Sequence, residues 1–121
     1  MNRFLQLQHR FLDGVERRLA EMTAELDHNA DAGALMRMFH SLAGIGGTFG
    51  FPRVSEISSK CEALCAAAAE GQRPMLSAEK ISLHLAVAAI RGITAARIEK
   101  SAPLFYDPSI DTLRRETNGT D

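Results

Sequence analysis

The sequence predicts an all-α protein, an antiparallel up-and-down four-helix bundle with a short C-terminal tail. Apolar residues recur at three- and four-residue steps through most of the first hundred positions. The segments so marked are separated by short runs rich in Asp, Asn, Gly and Pro. Aromatic residues make up only 6% of the chain and no strand alternation stands out, which favours helix over sheet. Four helices joined by short loops run antiparallel to their neighbours. A chain of 121 residues forms one domain with a core that needs no metal or disulfide staple.

The first helix is marked by Phe4, Leu7, Phe11, Val15, Leu19, Met22 and Leu26, with Arg10, Glu16, Arg17, Glu21 and Glu25 mainly off that stripe. Asp27 to Ala32 is a polar turn in which Asp31 is placed to cap the next helix. The second helix runs from about Ala32 to Phe49, with Gly50 as its stop and Pro52 in the first turn of the third. Val54, Ile57, Cys61, Leu64, Cys65 and Ala68 form the third stripe, which ends at Glu70-Gly71. After a linker containing Pro74, Ser77, Glu79 and Lys80 open a fourth helix to about Glu99. Its apolar residues (Ile81, Leu83, Leu85, Val87, Ile90, Ile93, Ile98) cover much of its circumference, so it is expected to pack on more than one neighbour. The division expected is a bundle over 1–100 and a polar, acidic tail over 101–121, in which Leu104, Phe105 and Tyr106 are placed to fold back.

Composition narrows the function. Lysine and arginine number 14 against 15 acidic residues, which argues against nucleic-acid binding through a broad basic field. No run of 18 apolar residues suggests a membrane span, and the polar N-terminus does not read as an export signal. A cytoplasmic protein is expected, with Cys61 and Cys65 as reduced thiols. Both lie on the buried stripe of the third helix, which favours small core residues over zinc ligands. His9, His28 and His84 show no ligand spacing.

The second helix contains RMFHSLAGIGGTFGFP, where Gly44, Gly46 and Gly47 together cost about 3 kcal/mol relative to alanine. Taking Leu42 as the centre of the buried face puts His40 about 160° away, towards solvent. Gly33, Arg37, Gly44 and Gly47 share that side, and Met36 flanks it. Gly44 and Gly47 leave open space about the imidazole, whereas Gly46 faces inward and admits a neighbouring helix. An exposed imidazole titrates near 6.5 or so, so around pH 7 it is mostly neutral and nucleophilic. Such a nitrogen can accept a phosphoryl group and pass it on. The glycines do not form a phosphate loop: GxGxxG from Gly44 needs glycine at Phe49, no GxxxxGK follows, and no strand precedes them.

The residues His40-Ser41-Leu42-Ala43-Gly44, then Gly50, then Glu62 and Leu64, resemble the histidine-containing phosphotransfer family, whose pattern reads H-x-L-K-G with a second glycine ten residues after the histidine. The resemblance implies a four-helix bundle that carries phosphoryl groups between receiver-domain aspartates and is not itself an enzyme. His40 is then the phosphoacceptor, with Gly44 and Gly47 as supporting small residues and Met36 and Ala43 at the partner-binding surface. The implied partners are a response-regulator receiver domain or a hybrid histidine kinase. The chain would hold no cofactor of its own, since Mg²⁺ belongs to the receiver. One departure is Ala43, where the family usually has lysine; Arg37, one turn before His40, is the candidate replacement for that charge. An alternative from another class is a binding module that inhibits a kinase or response regulator without being phosphorylated.

Overall fold

The computed structural model describes residues 2–97. Four helices follow one another: α1 (Arg3–Asp27), α2 (Ala32–Thr48), α3 (Pro52–Glu70) and α4 (Ser77–Ala96). Each packs against its neighbours in sequence, and α4 closes the ring against α1, which gives the up-and-down bundle.

Local chemistry sets the boundaries. Asp31 caps α2, its carboxylate accepting from the Ala34 N–H at 3.3 Å. At the other end Gly50 is left-handed, with φ 88°. There the Phe51 N–H donates to the Gly46 carbonyl at 2.9 Å and the Gly50 N–H to that of Gly47 at 3.4 Å, a Schellman stop. Pro52 follows at the start of α3, where no backbone donor is needed. The α3 stop has the same form, with Gln72 rather than Gly71 in the left-handed position. At the start of α4, Glu79 accepts from the Leu76 N–H at 2.8 Å, and Ser77 is the first helical residue.

Among the described residues α4 ends at Ala96, with Arg97 left-handed at φ 60°. It is therefore shorter than the expected end near Glu99. Ile98, the Leu104-Phe105-Tyr106 cluster and the whole expected tail lie outside the described residues. α4 does pack on two neighbours, α1 and α3, but Ile81 and Leu85 face solvent.

The core is one cluster drawn from all four helices, including Leu19 and Met22, Leu35, Phe39 and Leu42, Val54 and Cys65, and Leu83 and Ile90. In α1, Leu12 joins the expected stripe, while Phe4 and Leu7 in its first two turns are half-buried. In α2 the buried face includes Ala32, Phe39 and Ala43, whereas Met38, Ile45 and Phe49 are only half-buried. The helix is thus rotated from the expected orientation by about half a residue step, roughly 50°. The cause is a close approach to α3: a Cβ added at Gly46 would fall 2.9 Å from Val54 Cγ1. Lacking one, α2 seats its small-residue edge directly on α3.

Candidate functional site

The rotation of α2 places His40 at the α3 edge of the exposed face. Its side chain is 76% exposed, and its Nδ1 lies 2.9 Å from Oε2 of Glu62 on α3. A carboxylate oxygen accepts and does not donate, so this contact puts the imidazole proton on Nδ1. Nε2, with its lone pair, is then the nitrogen that faces outward and can act as a nucleophile.

The hairpin register brings these two residues level. His40 is eleven positions before Phe51, at the α2–α3 turn, and Glu62 is eleven after it. Closer to the turn, Gly47 comes opposite Ser55 and Gly46 opposite Val54. The sequence carried this signal, since a tight turn fixes which residues of an antiparallel pair are level. Glu62 was legible as part of the family pattern, but its role as partner of His40 emerges only from the hairpin.

The expected supporting residues divide. Gly44 is exposed, and a Cβ there would meet nothing within 4 Å, so the surface beside the imidazole is clear. Gly47 is exposed too, but a Cβ there would lie 3.2 Å from Ser55 Oγ, so this glycine also eases the α2–α3 contact. Ala43 is reassigned. It is only 9% exposed and lies between His40 and Gly46 on the edge of α2 that faces α3, so it offers a partner almost no surface. Met36 is half-buried, its body packed against the core.

Arg37 is exposed, but a Cβ on Gly33 would lie 3.6 Å from its guanidinium. The group is therefore turned towards the start of α2, one turn away from His40 in the opposite direction. A different cation borders the site: Arg18 of α1 donates from Nη1 to Ser41 Oγ at 3.3 Å. Sequence reasoning missed Arg18, because its position off the α1 stripe says only that it is exposed, not which part of α2 it meets. Beside it a groove of about 450 Å³ opens between α1 and α2, with Met22, Met38 and Leu42 among its apolar lining and Arg17, Arg18 and Glu21 as its charged residues.

The two thiols do not contribute a nucleophile. Burial pushes Cys61 up to about 11 and Cys65 up to about 12, so both stay protonated at neutral pH. The arrangement therefore offers one outward nitrogen, held by a carboxylate and bordered by a clearing.

Compared with known families, residues 6–93 match the family model of the Hpt domain. The chain belongs to the Hpt domain family. No curated protein and no solved structure matched it. Hpt domains are histidine phosphotransfer modules of two-component phosphorelays. This one is accordingly a phosphocarrier module rather than a catalytic domain, of a family whose members interact with receiver domains and kinases. Among the described residues no helix is long and apolar enough to cross a membrane.

Proposed function

We propose that His40 is the phosphoacceptor of this Hpt domain and relays a phosphoryl group between receiver-domain aspartates. The observation that carries this reading is the 76% exposed imidazole whose Nδ1 sits 2.9 Å from Glu62. In the loading step the Nε2 lone pair attacks the phosphorus of an aspartyl phosphate. The N–P bond forms as the P–O bond to the aspartate breaks, and the aspartate leaves as a carboxylate. The ring becomes a phosphoimidazolium whose Nδ1 proton is shared with Glu62, so the new positive charge has a carboxylate beside it. Unloading is the reverse reaction on a second receiver.

Mg²⁺ on the receiver would neutralise the transferring group, and this chain would contribute position rather than metal. The clearing over Gly44 admits the receiver, with Met36 at its rim. The relay unit is the bundle, about residues 1–100, with 101–121 as an appended tail, and the reaction is placed in the cytoplasm. The partner is either a free response regulator or the receiver of a hybrid kinase.

The test is phosphotransfer from a panel of phosphorylated receiver domains, read by intact mass. The native chain should gain one acid-labile phosphoryl group, and His40→Gln should gain none. A folded chain that binds a receiver yet never takes phosphate would instead be the inhibitory module.

A further inference from the structure

The phosphoryl group added at His40 carries negative charge and needs a cation, and the position of the usual lysine is held by the buried Ala43. Four candidate cations can be set aside by their surroundings. Arg17 reaches Glu21 at 3.8 Å, and Arg53 and Lys60 both reach Glu56, so each is already directed to a carboxylate. Arg37 is turned back over Gly33. Arg18 differs from all four. It donates to a neutral hydroxyl, Ser41 Oγ at 3.3 Å, on the residue next to His40.

The helical wheel shows what lies between them. Relative to His40, Gly44 is about 40° and Ser41 about 100° around α2, all on the same exposed arc. His40 stands at the α3 edge of that arc and Ser41 at the α1 edge. Gly44 is the floor between them, and a Cβ there would have no neighbour within 4 Å. A guanidinium anchored through Nη1 still has its other donors, and its planar fork suits phosphate oxygens.

We propose that Arg18, reaching from α1 across the Gly44 floor, is the cation that binds the phosphoryl group on His40. This rests on His40 as phosphoacceptor, and it assigns the charge to a different helix from the one that carries the histidine. Ser41 is then a positioning residue that keeps the guanidinium at the edge of the clearing. The consequence is a longer-lived phosphohistidine and faster loading.

The test can be run without any receiver. Phosphoramidate phosphorylates the exposed imidazole directly: Nε2 bonds to phosphorus, the P–N bond to the donor nitrogen breaks, and ammonia leaves. Native chain, Arg18→Ala, Arg18→Lys and Arg37→Ala are loaded this way, and each is checked for unchanged far-UV circular dichroism. The ³¹P resonance of the phosphohistidine is then titrated with pH and its hydrolysis followed. Arg18→Ala should shift the phosphoryl ionisation to higher pH and change phosphohistidine decay by about tenfold, towards shorter life, the effect of losing one charge-assisted contact. Arg18→Lys should recover part of both, and Arg37→Ala should match the native chain.

An Arg18→Ala chain that titrates and decays like the native one overturns the proposal. So does a response confined to Arg37→Ala. Transfer from phosphorylated receivers, measured in parallel, tests the relay reading by itself. If the native chain loads from phosphoramidate but from no receiver, the relay fails while the role of Arg18 is still decided. If it loads from neither, both ideas fall.

Discussion

Glu62 has the most to do of any single residue around His40. It fixes which nitrogen carries the proton, and on the proposed relay it also faces the charge that forms on the ring. These tasks separate by substitution. Glu62→Ala removes both and is expected to slow phosphoryl uptake about tenfold, the effect of one charged hydrogen bond. Glu62→Gln keeps an oxygen that accepts from Nδ1, so it should retain much of the rate. Quenched-flow transfer from one phosphorylated receiver would show whether the order native, Gln, Ala holds. Equal rates for all three would mean that the imidazole needs no orienting partner. Gly44 supplies the complementary case, because a methyl group there meets no atom. Gly44→Ala should raise stability by about 1 kcal/mol through helix propensity alone, while narrowing the approach to Nε2.

At the scale of elements, the α2–α3 hairpin is the unit that builds the site. Gly46→Ala forces a Cβ to 2.9 Å from Val54 Cγ1 and is expected to destabilise the bundle by about 1–3 kcal/mol. Urea midpoints for Gly44→Ala and Gly46→Ala should therefore move in opposite directions with unchanged slope. Much of this hairpin could be read in the sequence, because Asp31, Gly50 and Pro52 are local signals whose chemistry does not depend on the rest of the fold. The level pairing of His40 with Glu62 follows from them. The rotation of α2 was not legible. Symmetric burial about Leu42 ignores how closely one neighbour approaches, and Gly46 lets α3 come nearer than an average residue would. That one contact buries Ala43 and sets Gly47 beside Ser55. The meeting of Arg18 with Ser41 was hidden for a similar reason, since it depends on the packing of α1 across α2.

At the scale of the whole molecule, ion pairs tie the first helix to the last and clamp the loop before α4. Arg91 meets Glu16 at 2.9 Å, Arg97 meets Asp13 at 3.4 Å, and both pairs are largely solvated, so each contributes little alone. Arg73 and Glu79 form a two-pronged pair at 2.9 and 2.8 Å, and Glu79 also accepts from the Leu76 backbone. The Arg73 hydrogen bonds, then that backbone bond, hold the Glu79 carboxyl down to about 2 from its ordinary 4.5. A depressed folded-state value means that the ionised form favours the fold. Its stabilisation is complete above 4.5 and is lost as pH falls towards 2. Thermal melts should show Arg73→Ala below the native chain at neutral pH, with the gap closing through that acid window. A gap that persists at pH 2 would place the effect of Arg73 outside its pairing with Glu79.

On the proposed relay, the single outward nitrogen of His40 would set a rule for traffic. With Nδ1 committed to Glu62, donor and recipient would have to reach the same atom over the same clearing, so the two would compete for one berth. Loading and unloading would then alternate, and no complex holding both receivers would form at this histidine. Excess unphosphorylated recipient should act as a competitive brake on loading, with a signal that rises and then declines as recipient concentration increases. The ratio of the two receivers, as well as their affinities, would then set how much signal passes.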